Sequence, residues 1–454
     1  MRSNLHLVPG AFAALAVILT PPAAPDSWAG EPDAPARSYS YRVVARTGDT
    51  IPDVDVTLVG AFNVGDINAR GDVVFDALTD SGGTAILLLR GGRLRKVALT
   101  GETAPGGGTY SPFTLGPSSL NDWGDVAFDF LLEPIGLPFG TTGGIFRQDA
   151  FTGAVRAVVL SGTTPDPRGG VLRGETIRAS VNNRREVLFG AIIATSDGVS
   201  GDLGNAVMEA PRDGQPEFVL APGDPAPDGS HFDMAMNPSS NVLGQVAIAG
   251  HQSNQECIDF GGSQEVFINC ATSVYLAQPD GRVRAIALQG DQAPGGGTYR
   301  FAWSPWINAR GQVVFVGDLS PAPGFNQSSG LFLHERGRTR AIVRPGDAMP
   351  DGGRVVVVTN FSPANVRLND RGQAAFNAVL DTGDGESPDT GLYLWSPDGL
   401  VRVARTGTVI LGVGTIASVQ AAAVNVGLSN IGQVAFSARL VDGSEALLIA
   451  TPHH

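Results

Sequence analysis

Apolar and polar positions along the chain fall into one recurring phrase. An asparagine opens it, a glycine stands three residues on, and a β-branched and aromatic run follows. Asn308-Ala309-Arg310-Gly311-Gln312-Val313-Val314-Phe315 shows it most cleanly. Near-copies run from Asn68 to Phe75, Asn121 to Phe128, Asn241 to Ile248 and Asn369 to Phe376. Two copies are worn. Asn182 to Phe189 puts Arg185 in the glycine place, and Ser429 to Phe436 keeps Gly432 but moves its asparagine to Asn430. The phrase predicts a tight turn followed by a strand. A short amide bonds the backbone two residues on, glycine accepts a positive φ without steric penalty, and the Val-x-Phe run suits a pleated surface. At Arg185, either the turn has another geometry or the residue bears strain.

The spacing sets the size of the unit. Successive Phe or Ile positions at the end of the phrase lie 53, 61, 59, 67, 61 and 60 residues apart. A self-similar period of that size marks a repeat architecture. Each unit reads as about four short strands: the segment before the Asn turn, the Val-x-Phe strand, a second apolar strand such as Leu331-Phe332-Leu333, and an outer run such as Arg340-Ala341-Ile342-Val343. No sustained 3.6-residue apolar period appears, so no long helix is expected.

Such units close radially as a propeller or stack as a solenoid. The termini decide. The chain opens with an outer strand, Tyr41 to Arg46, that lacks its three partners, and ends with three strands, the last at Ala446-Leu447-Leu448-Ile449, that lack an outer one. Joining them completes a blade and removes two free sheet edges. The expected fold is all-β, a seven-bladed β-propeller over residues 40–451 closed by the N-terminal strand. Six or eight blades is the alternative.

Composition changes the picture in three ways. The net charge of −13 argues against nucleic acid or an anionic membrane as partner. Residues 1–29 read as a secretory signal with an apolar run, Leu7 to Leu19, too short to span a bilayer. A Pro-rich linker, 30–39, follows. The mature chain is therefore expected to be secreted, periplasmic or extracellular, with no membrane span and no anchor of its own. Cys257 and Cys270 lie 13 residues apart in one insertion, and in an oxidising compartment they are expected to form a disulfide.

Candidate chemistry is sparse. A second motif, Gly-Asp/Glu-x-x-Pro, recurs from Gly48, Gly101, Gly223, Gly290 and Gly346, with Thr163 and Thr408 replacing the acid in degenerate copies. A turn between blades explains it better than a cation site, because acids on separate blades do not converge on one ion. The loop from Asp381 to Asp389 is acidic but lacks EF-hand spacing. No metal and no cofactor is expected. The histidines form no zinc-protease pair, and no Gly-x-Ser-x-Gly elbow occurs.

The segment before each Asn turn carries the best site argument. Apolar and polar positions alternate there, which directs one set to the blade interface and the other to the central channel. Asp66, Arg178, Trp306 and Arg367 are the channel residues that differ from blade to blade. Arg178 and Arg367 suit a carboxylate or phosphate, Trp306 suits a sugar or another flat face, and Asp66 suits a hydroxyl or balances the arginines. Trp303 and Trp306 filling core space is the competing expectation.

The Asn-x-x-Gly-x-x-x-Phe core, with Ala before Phe in several copies, is similar to exported bacterial proteins of the NxxGxxxxAF tandem-repeat type. The likeness covers residues 40–450. It implies a repeat fold, export and, in many relatives, a varied C-terminal anchor, and it carries no catalytic residue across. The reading is a secreted propeller that binds or scaffolds a small molecule, glycan or protein at the channel mouth. The alternatives are an extracellular hydrolase or lyase with a site assembled from several blades, and a structural surface component.

Overall fold

The computed structural model describes residues 38–453 apart from 53, 135–142, 170, 173, 195–202, 256–271, 322–327, 359–364, 384–388 and 420–424. Cys257 and Cys270, the leader 1–29, residues 30–37 of the linker and the heart of the 381–389 loop lie outside the described residues.

The described residues form strands and turns with no helix. Seven antiparallel sheets follow one another along the chain as the blades of a propeller. Blades 1 to 6 occupy residues 58–99, 109–160, 174–220, 232–287, 298–343 and 354–405. Blade 7 joins residues 409–452 to the N-terminal strand. Tyr39–Arg46 pairs antiparallel with Glu445–Pro452, from Tyr39 opposite Pro452 to Arg46 opposite Ala446. The first and last strands close the ring as their sequences require.

The alternation in each Val-x-Phe strand explains how the blades pack. Successive side chains point to opposite faces of a sheet, so each strand serves two seams. Val74 packs toward blade 2 with Phe128 and Phe146, whereas Phe75 packs toward blade 7 with Leu447 and Ile449. Val314 faces Phe376 and Tyr393 of blade 6, and Phe315 faces Val274 and Leu276 of blade 4. Seven buried clusters result, one per seam. The phrase-ending Phe or Ile always sits in the seam with the preceding blade. A fully buried aromatic of this kind contributes roughly 2–3 kcal/mol by area. The recurrence of Phe is thus a packing requirement.

The innermost strands are less regular than simple alternation predicts. Register shifts interrupt their pairing between Thr176 and Ser180, Met236 and Ser239, and Trp303 and Trp306. Asn237 and Ser304 adopt left-handed backbone there, with φ of 53° and 49°. These bulges break the alternation ahead of the Asn turns of blades 3, 4 and 5. In blades 6 and 7 the residues four before the turn, Asn365 and Asn425, are buried.

Candidate functional site

Each Asn turn builds one segment of a ring around the channel. Asn308 Oδ1 accepts from the amides of Arg310 and Gln312, which shapes its own turn. Its Nδ2 donates to Gln312 Oε1 and, across the seam, to the carbonyl of Asn369 at 2.9 Å. The same inter-blade bond runs from Asn68 to Asn121, Asn121 to Asn182, Asn241 to Asn308 and Asn369 to Ser429. Asn182 departs from the series and reaches Ser240 Oγ. Ser429 has no amide to give, though its hydroxyl still caps Gln433. The displaced Asn430 instead bonds Asp370 through both backbone and side chain, as Asn183 does Asp122. The asparagine is a turn former, as its sequence context indicates, and also a staple between blades.

Arg185 resolves the worn third copy. Its φ is 69°, close to the 73° of Gly311 and 75° of Gly71 in intact turns. The turn geometry is kept and arginine bears the strain, a cost of order 1–3 kcal/mol. The guanidinium forks onto Asp125 of blade 2 at 2.5 Å through Nε and Nη2, and reaches Asp149 at 2.7 Å. Burial pushes the Asp125 carboxyl up, but Arg185 and the Ala150 amide outweigh it and hold it below its ordinary value. Asp149 is held at about 2: burial raises it, and the Thr152 and Phe151 amides and then Arg185 lower it further.

A cavity of about 140 Å³ lies at this end of the channel. Asp66, Ser119, Ser180, Ser239 and Trp306 line it. Three of the four expected site residues come together. Arg367 of blade 6 stacks its guanidinium on Trp306 of blade 5, 4.1 Å from the ring centroid. Its Nε lies 3.4 Å from Asp66 Oδ1 of blade 1, and its Nη2 donates to the Gly65 carbonyl at 2.8 Å. The side chain thus passes blade 7, whose equivalent residue is Gly427. A Cβ on Gly427 would stand 3.0 Å from Ile67. Arg367 is only 3% exposed, its guanidinium taken up by Trp306, Asp66 and the Gly65 carbonyl. Burial pulls its pKa down, against the nearby carboxylate. Trp306 is half-buried, packed on the core of the blade 5–6 seam along one side and lining the cavity on another. The backbone of Arg178 lies in Gly174–Val181, and its side chain is not among those described.

Other clusters carry less chemistry. The acids of the Gly-Asp motif cap the backbone three residues before them: Asp49 accepts from Arg46 N, Asp224 from Ala221 N and Asp347 from Arg344 N. Thr408 does the same for Arg405 in a degenerate copy. Ser253 Oγ lies 3.3 Å from His231 Nδ1, and His231 Nε2 lies 3.6 Å from Asp233, but the Ser253 amide is spent on the His231 carbonyl. That serine lacks its own amide as an oxyanion donor. Among the described residues no three metal-ligating side chains converge.

Two buried acids escaped the sequence reading. Asp76 and Asp129 follow the phrase-ending Phe in blades 1 and 2, where other blades place Gly190, Ala249, Val316, Asn377 and Ser437. Burial pushes each carboxyl up to about 7. Ser118 and Asn63 oppose the rise at Asp76, and the Leu115 and Gly116 amides oppose it at Asp129. The Phe-Asp dipeptide in only two copies was the available signal.

Solved structures with related coordinates share little sequence. A puromycin-hydrolysing peptidase of Mycobacterium tuberculosis is 15% identical, with a TM-score of 0.45 over 91% of this chain and 54% of that one. A PL25 ulvan lyase is 10% identical, at 0.43 over 91% and 98%. A TolB-like protein of Agrobacterium tumefaciens is 11% identical, at 0.37 over 87% and 100%. The chain spans about half the length of the peptidase. These likenesses carry no functional argument. Comparison with curated proteins finds no match. Residues 11–451 match a family of unknown function, DUF7453, and the chain belongs to that family.

Proposed function

We propose that the chain is an exported binding propeller that takes a small molecule, glycan or protein segment at the Asn-turn end of its channel. One observation carries this: Trp306, Arg367 and Asp66 come from three blades, none is a repeated residue, and they assemble beside the cavity. Turn formation and seam packing account for the repeated positions and leave these three over. A cavity of about 140 Å³ is smaller than the ~300–1,000 Å³ of sites that enclose a ligand. The ligand therefore meets the protein at the mouth. Arg367 fixes the indole and the Asp66 carboxylate, and the indole offers a flat surface beside a hydrogen-bond acceptor.

Binding is favoured over hydrolysis or elimination by the state of the acids. Those of the Gly-Asp turns are spent on backbone amides, and Asp76 and Asp129, though poised near neutrality, are sealed from solvent. Export through the 1–29 leader, relation to the NxxGxxxxAF repeat proteins and a Cys257–Cys270 disulfide belong to the same reading. Thiol titration of the exported, denatured, unreduced protein tests the disulfide, and two reactive thiols would remove it. Thermal-shift screening against oligosaccharides, metabolites and peptides tests the site, since a ligand specific to the native state raises the midpoint. Trp306→Ala is expected to abolish the shift and leave the fold intact. A shift unchanged in that variant places the site elsewhere.

A further inference from the structure

Each Asn turn borders the channel-mouth cavity, and its third residue is exposed in all seven blades. The turn makes no demand on that side chain, yet four of the seven are arginine: Arg70, Arg184, Arg310 and Arg371. Lys and Arg make up 31 of 454 residues, so chance would place fewer than one in seven sites. The four are not equivalent. Arg70 is paired with Asp72 at 3.2 Å and Arg184 with Glu186 at 2.8 Å. Among the described residues, Arg310 and Arg371 have no carboxylate partner and no side-chain hydrogen bond. The acid beside them, Asp370, has both oxygens engaged, one by the Ala309 amide at 2.8 Å and one by Asn430 Nδ2 at 2.9 Å.

These two guanidiniums stand on neighbouring turns that are hydrogen-bonded to each other through Asn308 and Asn369. Four residues before Arg310 is Trp306, at the cavity. Across the mouth, in blade 2, Trp123 is 50% exposed. Its Nε1 donates to the Asn183 carbonyl at 2.9 Å, which pins the indole edge and leaves area open to solvent. A fixed, half-exposed indole and unpaired arginines are the residue types that dominate binding surfaces.

We propose that the ligand at this mouth is an acidic saccharide, its ring against an indole and its carboxylate or sulfate on Arg310 and Arg371. The inference rests on the channel-mouth reading and names the ligand class. A sugar presents a flat apolar face ringed by hydroxyls, which suits Trp306 and Trp123. A carboxylate or sulfate matches the planar fork of arginine. The chain's charge of −13 disfavours a dense polyanion such as nucleic acid, but a saccharide with spaced charges meets two local cations without that opposition. An acidic peptide would satisfy the arginines and leave the indoles without a role.

The test is calorimetric titration of the full chain with three probes of matched length: tetragalacturonate, maltotetraose and tetraglutamate. Tetragalacturonate is expected to bind at least tenfold more tightly than either control, and less tightly as salt rises. Arg310→Ala/Arg371→Ala is expected to abolish that advantage with an unchanged thermal midpoint, because neither side chain has a partner among the described residues. Equal binding of the acidic and neutral sugars, lost in Trp306→Ala but not in the arginine variant, overturns the acidic class and leaves the channel-mouth reading standing. Binding indifferent to all three residues overturns both. Tetraglutamate binding as tightly as the sugar overturns the saccharide, as does no binding of any probe.

Discussion

Arg185 forks onto Asp125 across the seam between blades 2 and 3, and it does so from the left-handed conformation that glycine holds in the other six turns. In four of those turns a glutamine from the preceding blade covers the glycine: Gln433 lies over Gly71, Gln245 over Gly311, Gln312 over Gly372 and Gln373 over Gly432. Asp125 holds the same place in the phrase as those glutamines. The pair has replaced a neutral contact with a buried ionic one.

The first prediction follows from that exchange. Arg185→Gly relieves backbone strain but strands a buried carboxylate. Breaking such a pair costs about 3–5 kcal/mol, and relief of strain returns about 1–3. A net loss of about 2 kcal/mol is expected in urea unfolding. Arg185→Gly/Asp125→Gln, which restores the Gln–Gly seam of the other blades, is expected to lie within about 1 kcal/mol of wild type. A double variant no better than the single one would show that the ionic pair has no substitute.

The asparagine staple gives the second. Asn308→Ala removes two turn bonds and two bonds beyond the turn at a buried site, a loss of roughly 2–6 kcal/mol at about 0.5–1.5 per bond. Asn308→Ser, which copies Ser429, keeps a cap and is expected to lose less. Equal losses in the two variants would mean that the cap contributes nothing.

The third concerns closure. Deleting residues 38–46 unpairs Glu445–Pro452 and exposes Leu447 and Ile449. A fall in the thermal midpoint and a rise in aggregation are expected. A midpoint unchanged by the deletion would mean that the N-terminal strand does not secure the ring.

The buried acids give the fourth. Asp76 and Asp129 have folded pKa values raised to about 7, above the ordinary carboxyl value, so the native state binds their protons more tightly than the unfolded chain. Between about pH 4 and pH 7 the contribution of these groups to stability falls as pH rises, and below about pH 4 it is fully present. Asp129→Asn keeps an acceptor for the Leu115 and Gly116 amides and removes the titrating group. That variant is expected to flatten the fall and to be the more stable protein at pH 8. A pH profile parallel to wild type would place the Asp129 pKa near its ordinary value.

The division between sequence and structure runs along the range of the interactions. Turns and strands are set within a few residues: Asn308 bonds amides two and four positions on, and alternation within Val313-Val314-Phe315 sends side chains to two seams. Those signals repeat, so the sequence alone pointed to a closed ring of seven blades, with six or eight as the alternative, and to the pairing of its ends; the sheets themselves fix the count at seven. Irregular features were legible only as departures. Arg185 stood out in the glycine place, but nothing nearby named Asp125, 60 residues earlier, as its partner. Arg367 was visible as a polar residue before its turn, while its stacking on Trp306 and its reach past Gly427 to Asp66, 301 residues away, required the closed ring. Asp76 and Asp129 were marked in the sequence only by following the phrase-ending Phe in two copies. Only the packing of neighbouring blades buries them, and burial, a property of the assembled seams, moves their protons.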